Sequence, residues 1–260
     1  MAAGLHISIS AEPIAEVFGF SITNSIFTSL IVSTLLILFA IIFRSRLKQT
    51  NRPTGVQNVV ELIIESLYNF VHSITENATR TKLFFPIIAT FFIFIILNNY
   101  IGLLPGVGSI MVPKAVEAAH AAEAAEAGHS LTPIFRAATA DLNTTLALAL
   151  ISVVLTQIYG VSHLGLAYFK KFFNFSNVLQ AFVGLLELIS EFAKIISFAF
   201  RLFGNIFAGE VLLSVMTYLV KVIVPSPFYA LELFVGFIQA LVFSMLSLIF
   251  FNMATKHHEE

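Results

Sequence analysis

The chain has 260 residues, of which 58% are hydrophobic and 11% charged, and its formal net charge is −1. So much apolar surface could not be covered by water-facing groups, which argues against one large soluble helical core, and a near-neutral chain offers nucleic acid no basic footprint. There is no cysteine, hence no disulfide framework, thiol nucleophile or thiolate metal site.

No Lys or Arg precedes Arg44, so the start lacks the basic region of a cleavable signal peptide and the Arg-rich character of a transit peptide. The first span is therefore expected to be kept as an anchor. Residues 1–24 read as a short segment outside the bilayer, and 25–43 as the first span. The basic cluster Arg44, Arg46, Lys48 and Arg52 that stops it belongs on the cytoplasmic side and puts the N-terminus outside. In residues 53–77, Val59, Val60, Ile63, Ile64, Leu67, Phe70, Val71 and Ile74 recur at helical spacing, with Glu61, Glu65, Asn69 and Glu76 between them. That pattern predicts an amphipathic helix lying at the interface.

Residues 83–101 form the second predicted span and 102–140 a long external loop, whose Ala-rich stretch at 114–127 predicts a short exposed helix. His120 within it and His129 just after it lack metal-ligand spacing. Asp141 is a preferred helix cap and opens the third span at 142–161. Lys170 and Lys171 mark the cytoplasmic side again. Residues 177–224 contain no proline and read as one helical pattern of about 70 Å against a bilayer core of about 30 Å. No turn signal interrupts it, which favours one strongly tilted helix over two spans. After the Pro225–Pro227 break, residues 228–253 form the last span. Trp is absent, so only tyrosine can supply the interfacial ring belt. The prediction is an all-α integral membrane protein in one domain, with five spans, one interfacial helix and a cytoplasmic C-terminus.

On a helical wheel of the long segment with Glu187 at zero, Glu191 falls at about +40°, Lys194 at about −20°, Arg201 at about −40° and Asn205 at about 0°. Ser190, Ser197 and Ala208 flank this stripe, and Glu210 falls on another face. Lys194 has an acid three residues away in Glu191, so an ordinary salt bridge accounts for it. Arg201 has none on its own helix, cannot deprotonate, and costs roughly 2.5–3.5 kcal/mol at a membrane helix centre. Its compensation must come from elsewhere, either a fixed partner such as Glu232 or a transient one on another subunit. Glu232 and Gln239 share a face of the last helix. An intramembrane glutamate is a proton-relay candidate, whereas Gln239 equally suits a helix–helix hydrogen bond. A permanent cation beside titratable carboxylates suggests two partial ion paths separated by an electrostatic barrier.

RLFGNIFAGE at 201–210 resembles the signature of subunit a of the F-type rotary ATP synthases, and GLLPG at 102–106, DLNTTLALAL at 141–150 and IQALVFSML at 238–246 are similar to its other motifs. The resemblance covers nearly the whole chain. It implies a stator subunit beside a rotating ring of c subunits, with b/b′ peripheral-stalk subunits, a catalytic sector and membrane lipid as further partners. It implies a tilted hairpin of the fifth and sixth helices and two aqueous half-channels, in a bacterial inner membrane or alternatively a mitochondrial one. The family's essential arginine falls on Arg201, with Asn205 and Gln239 as its polar neighbours. Glu187 and Ser190 match the cytoplasmic-side path, Glu210 and Glu232 the outer-side path, and Asn99, Asp141 and Lys194 are lesser candidates. Family members often carry one His and one Glu at the two outer positions, where this chain has two glutamates. No cofactor is implied. The chain has neither a P-loop nor a magnesium-binding constellation, so nucleotide chemistry is assigned to partners. The competing readings are a self-contained transporter or channel, which calls for internal repeats that the sequence does not show, and a passive scaffold, which would tolerate loss of Arg201, Glu210 and Glu232.

Overall fold

A computed structural model of the chain describes residues 11–17, 20–47, 55–104, 107, 110–113, 131–165, 168–169, 172, 177–220 and 224–255. Residues 1–10, Lys48, Arg52, the 53–54 start of the interfacial helix, Pro105 and Gly106 of GLLPG, the Ala-rich stretch with His120 and the nearby His129, Lys170, Lys171 and the tail from 256 lie outside the described residues.

The described chain is mostly helical. Its elements are β1 (Pro13–Val17), β2 (Phe20–Thr23), α1 (Asn24–Arg46), α2 (Val56–Thr75), α3 (Ala78–Gly102), β3 (Met111–Pro113), β4 (Leu131–Pro133), a 3-10 turn (Ala138–Ala140), α4 (Leu142–Leu164), α5 (Val178–Leu219) and α6 (Pro225–Thr255). This is consistent with the expected all-α membrane protein, to which the structure adds two small antiparallel sheets, β1 with β2 and β3 with β4. These strands are three to five residues long, too short for any period in the sequence to announce them.

Among the described residues, four helices, α1, α3, α4 and α6, are long and apolar enough to cross a membrane. At 42 residues α5 is longer than any of them, but it carries Glu187, Glu191, Lys194, Arg201 and Glu210. Pro225 opens α6, where its missing N–H has no partner to lose and its fixed φ suits the first turn. The proline pair therefore starts the last helix rather than preceding it. Pro86 lies inside α3, and Thr90 Oγ1 returns a 2.7 Å hydrogen bond to its carbonyl.

The chain divides into two compact units, with Met1–Phe39, Phe94–Thr145 and Phe200–Ala240 in one and Ala40–Ile93, Leu146–Ala199 and Leu241–Glu260 in the other. In the first, the segment entering α4 is fixed at several points. Ile134 N–H donates to the Ile110 carbonyl at 2.9 Å, Asn24 Nδ2 to the Pro133 carbonyl at 3.4 Å, and Arg136 N–H to Thr28 Oγ1 at 3.3 Å. Asp141 ends this segment as an N-cap, accepting the Asn143 N–H at 3.1 Å.

In the second unit, α2 turns into α3 through Glu76, which takes the left-handed conformation at φ 51°. Asn77 Oδ1 caps α3 by accepting the N–H groups of Thr79 and Arg80. Arg80 then reaches the end of α6, donating to Asn252 Oδ1 and the Thr255 carbonyl at 3.3 Å each. Phe84, Tyr159 and Phe251 pack ring against ring in its core. Val56, Val59, Leu62, Ile63 and Ile64 of α2 remain exposed, an apolar face that the described chain does not cover.

Candidate functional site

The stretches of α5 and α6 within the first unit present their polar residues in two ways. Arg201, Asn205 and Ala208 recur at spacings of four and three, so they form one exposed strip of α5. Asn205 Nδ2 donates to Gln239 Oε1 at 2.7 Å, joining the strip to α6. Gln239 is buried, and its Nε2 has no hydrogen-bond partner among the described residues.

Glu210 faces elsewhere. It lines a cavity of about 790 Å³ together with Asn99, Arg136, Tyr218, Tyr229 and Glu232. Arg136 holds it tightly: Nε donates to both carboxylate oxygens at 3.1 Å, and Nη2 to Oε2 at 3.0 Å. Such charge-assisted, two-oxygen contacts are the strong class of hydrogen bond. The Arg136 side chain is 6% exposed and that of Glu210 40%, so the pair is rooted in protein and opens on the cavity. The guanidinium also lies 5.9 Å from the Phe207 ring centroid, within cation–π range.

Glu232 is buried, and its carboxylate packs on the bare backbone of Gly209, where any Cβ would collide with it. Among the described residues no hydrogen bond or ion pair reaches that carboxylate, Arg201 included. Asn99 lines the same cavity with both side-chain ends committed. Its Nδ2 donates to the Gly236 carbonyl at 3.0 Å, and its Oδ1 accepts from Thr139 Oγ1 at 2.5 Å. Asp141 is buried as the cap of α4 and does not line the cavity.

The remaining candidates belong to the second unit. Glu191 is buried and accepts from Lys194 Nζ at 2.8 Å and from Gln157 Nε2 at 3.0 Å. Lys194 also sits 4.6 Å from the Phe250 ring centroid. Tyr168 donates to Gln157 Oε1 at 2.8 Å, while its ring fills the space over Gly160. Burial first, then the nearby Glu191 and Glu187 carboxylates, push the Tyr168 phenol up to about 12. Glu187 is half-buried and Ser190 exposed.

The structure thus gathers Glu210, Glu232 and Asn99 around one cavity, Asn205 with Gln239, and Lys194 with Glu191. The sequence pattern of the ATP synthase A chain family matches residues 26–252. The chain belongs to that family. Among relatives named ATP synthase subunit a, that of Syntrophobacter fumaroxidans is 34% identical over 79% of this chain and 74% of its own length. The Geotalea uraniireducens protein is 34% identical over 86% and 83%, and that of Citrifermentans bemidjiense 33% over 79% and 76%.

Within this family member, sequence reasoning missed Arg136. A signal existed, since Lys114 and Arg136 are the only basic residues of the 102–140 stretch, and Arg136 alone stands at the mouth of an apolar helix. Gln157 and Tyr168, the further partners around Glu191, carried no signal in their spacing.

Proposed function

We propose that the chain is subunit a of a rotary F-type ATP synthase, the stator that passes protons to and from a ring of c subunits. One observation carries the reading: on α5, Arg201 stands on an exposed strip while Glu210 faces a cavity shared with Glu232. A guanidinium cannot lose its charge, so a ring carboxylate reaching Arg201 is favoured in its ionised form and must give up its proton. The same charge repels a proton that would otherwise cross directly. Protons enter and leave the ring site by two separate paths. Glu210 and Glu232 serve the outer path, with Asn99 and Asp141 supporting it. Glu187 and Ser190 serve the cytoplasmic path, and Lys194 is a lesser member there. Asn205 and Gln239 shape the surroundings of Arg201.

In this reading α5 is the fifth span, strongly tilted, and pairs with α6 as a hairpin against the ring, while α2 lies at the interface. The N-terminus is outside, the C-terminus cytoplasmic, and the membrane is the bacterial inner membrane. The b subunits and the catalytic sector complete the machine and carry the nucleotide chemistry. One charge crossing 100 mV is worth about 2.3 kcal/mol, so several protons must be coupled to each ATP through rotation.

The test is ATP-driven acidification of inverted membrane vesicles, comparing wild type with Arg201→Ala at equal amounts of assembled complex. Loss of pumping is expected, with a passive proton leak once the catalytic sector is stripped. Normal pumping by the assembled variant would make the arginine structural and the reading wrong.

A further inference from the structure

Two glutamates share the cavity, and the structure treats them differently. Glu210 has both carboxylate oxygens engaged by one guanidinium, whose side chain is almost wholly buried. Arg136 is itself held through its backbone on Thr28, in a segment also tied to Asn24 and Ile110. The grip therefore originates in fixed scaffold. Glu232 has no donor among the described residues and rests on the Cβ-less surface of Gly209. The charged and titratable groups lining the cavity with Glu210 are Arg136 from the segment before α4, Tyr218 on its own helix, and Tyr229 and Glu232 from α6; α3 contributes the neutral Asn99.

We propose that Arg136 is a positioning residue of the proton path, fixing Glu210 on the cavity wall by a two-oxygen grip, while Glu232 is seated by packing on Gly209 without a donor of its own among the described residues. The inference rests on the reading of these two glutamates as path residues. It accounts for how two identical side chains can do different work. One is held in place by a permanent cation, and the other by packing alone. A lysine at 136 would keep the charge as a point and lose the planar fork, so Arg136→Lys separates position from charge.

The experiment measures ATP-driven proton pumping against pH in vesicles bearing the whole complex, per assembled complex, for Arg136→Lys, Arg136→Gln, Glu210→Gln, Glu232→Gln and the double variant Arg136→Gln/Glu210→Gln. Arg136→Gln is expected to lower pumping about 10- to 100-fold, the scale for a misplaced reacting group. The pH of half-maximal pumping should also move by about one unit or more, because an adjacent cation is worth that much to a carboxylate. Arg136→Lys should restore much of the pH profile and only part of the rate. The double variant should lose little more than Arg136→Gln alone, since one arrangement is broken in each. Wild-type rate and profile in Arg136→Gln would overturn the proposal, as would losses that simply multiply in the double variant. If Arg136→Gln fails to assemble, Arg136→Lys decides: a reduced rate supports the two-oxygen grip, and wild-type behaviour overturns it. Normal pumping in both Glu210→Gln and Glu232→Gln would instead overturn the underlying path reading, whatever Arg136 does.

Discussion

Replacing Gly209 with alanine separates the position of one carboxylate from the stability of the helix that seats it. Gly209 is buried on α5, and a Cβ built there would overlap all three atoms of the Glu232 carboxyl group. Carbon and its neighbours settle at roughly 3.5–4.0 Å, so the carboxyl group must withdraw by more than about 1 Å. It can do so cheaply, being the far end of a flexible side chain. The helix meanwhile gains, since alanine is better than glycine in a helix interior by about 1 kcal/mol. Gly209→Ala is therefore expected to assemble at least as well as wild type and yet to pump poorly. A misplacement of about 1 Å can cost on the order of 100-fold in a positioned reaction, and a 10- to 100-fold fall in ATP-driven proton uptake is expected. The assay is quenching of a pH-sensitive dye in inverted vesicles, divided by the amount of intact complex and compared with uncoupled ATP hydrolysis. Hydrolysis by the detached catalytic sector should be unchanged. Wild-type pumping in the assembled variant would refute the reasoning, because the seat of Glu232 against α5 would then be irrelevant to proton transfer.

Glu191→Gln should leave Lys194 without its counter-charge in a mostly buried setting and lower the thermal midpoint of the purified complex. The expected cost is about 1–3 kcal/mol, below the range for a fully buried pair because Lys194 is 21% exposed. Tyr168→Phe removes the bond to Gln157 and should cost about 0.5–1.5 kcal/mol in the same melting measurement. The Tyr168 phenol is raised from 10.0 to about 12, so its contribution is complete below pH 10 and fades as pH rises through about 12. An ultraviolet titration should accordingly show a late tyrosine ionisation that Tyr168→Phe deletes; an unchanged curve would contradict the tether.

What the sequence revealed was local. Apolar runs report membrane helices because length and composition are properties of one segment. The pairing of Lys194 with Glu191 was readable for the same reason, being a contact within one turn. The cavity was not readable as a shape, because Asn99, Arg136, Glu210 and Glu232 come from four distant stretches. Arg136 and Glu210 lie 74 positions apart, and Asn99 reaches a carbonyl 137 positions away. No periodicity records such distances. The short strands failed for a different reason: three residues of β3 and three of β4 are ordered by each other rather than by their own pattern. They nevertheless matter to the site, since β4 leads directly into the segment that carries Arg136.

The two arginines of the first unit show why a charge cannot be interpreted from its residue type alone. Each is permanently cationic, and each stands among apolar side chains. Arg136 is enclosed, stacked near Phe207 and clamped to a carboxylate of its own chain, so its charge is spent on holding another group still. Arg201 lies on an exposed strip of a helix that also displays Asn205 and Ala208. On the function proposed above, rotation draws on both: a surface charge for a passing carboxylate to meet, and a cavity wall rigid enough that a released proton has a defined place to go.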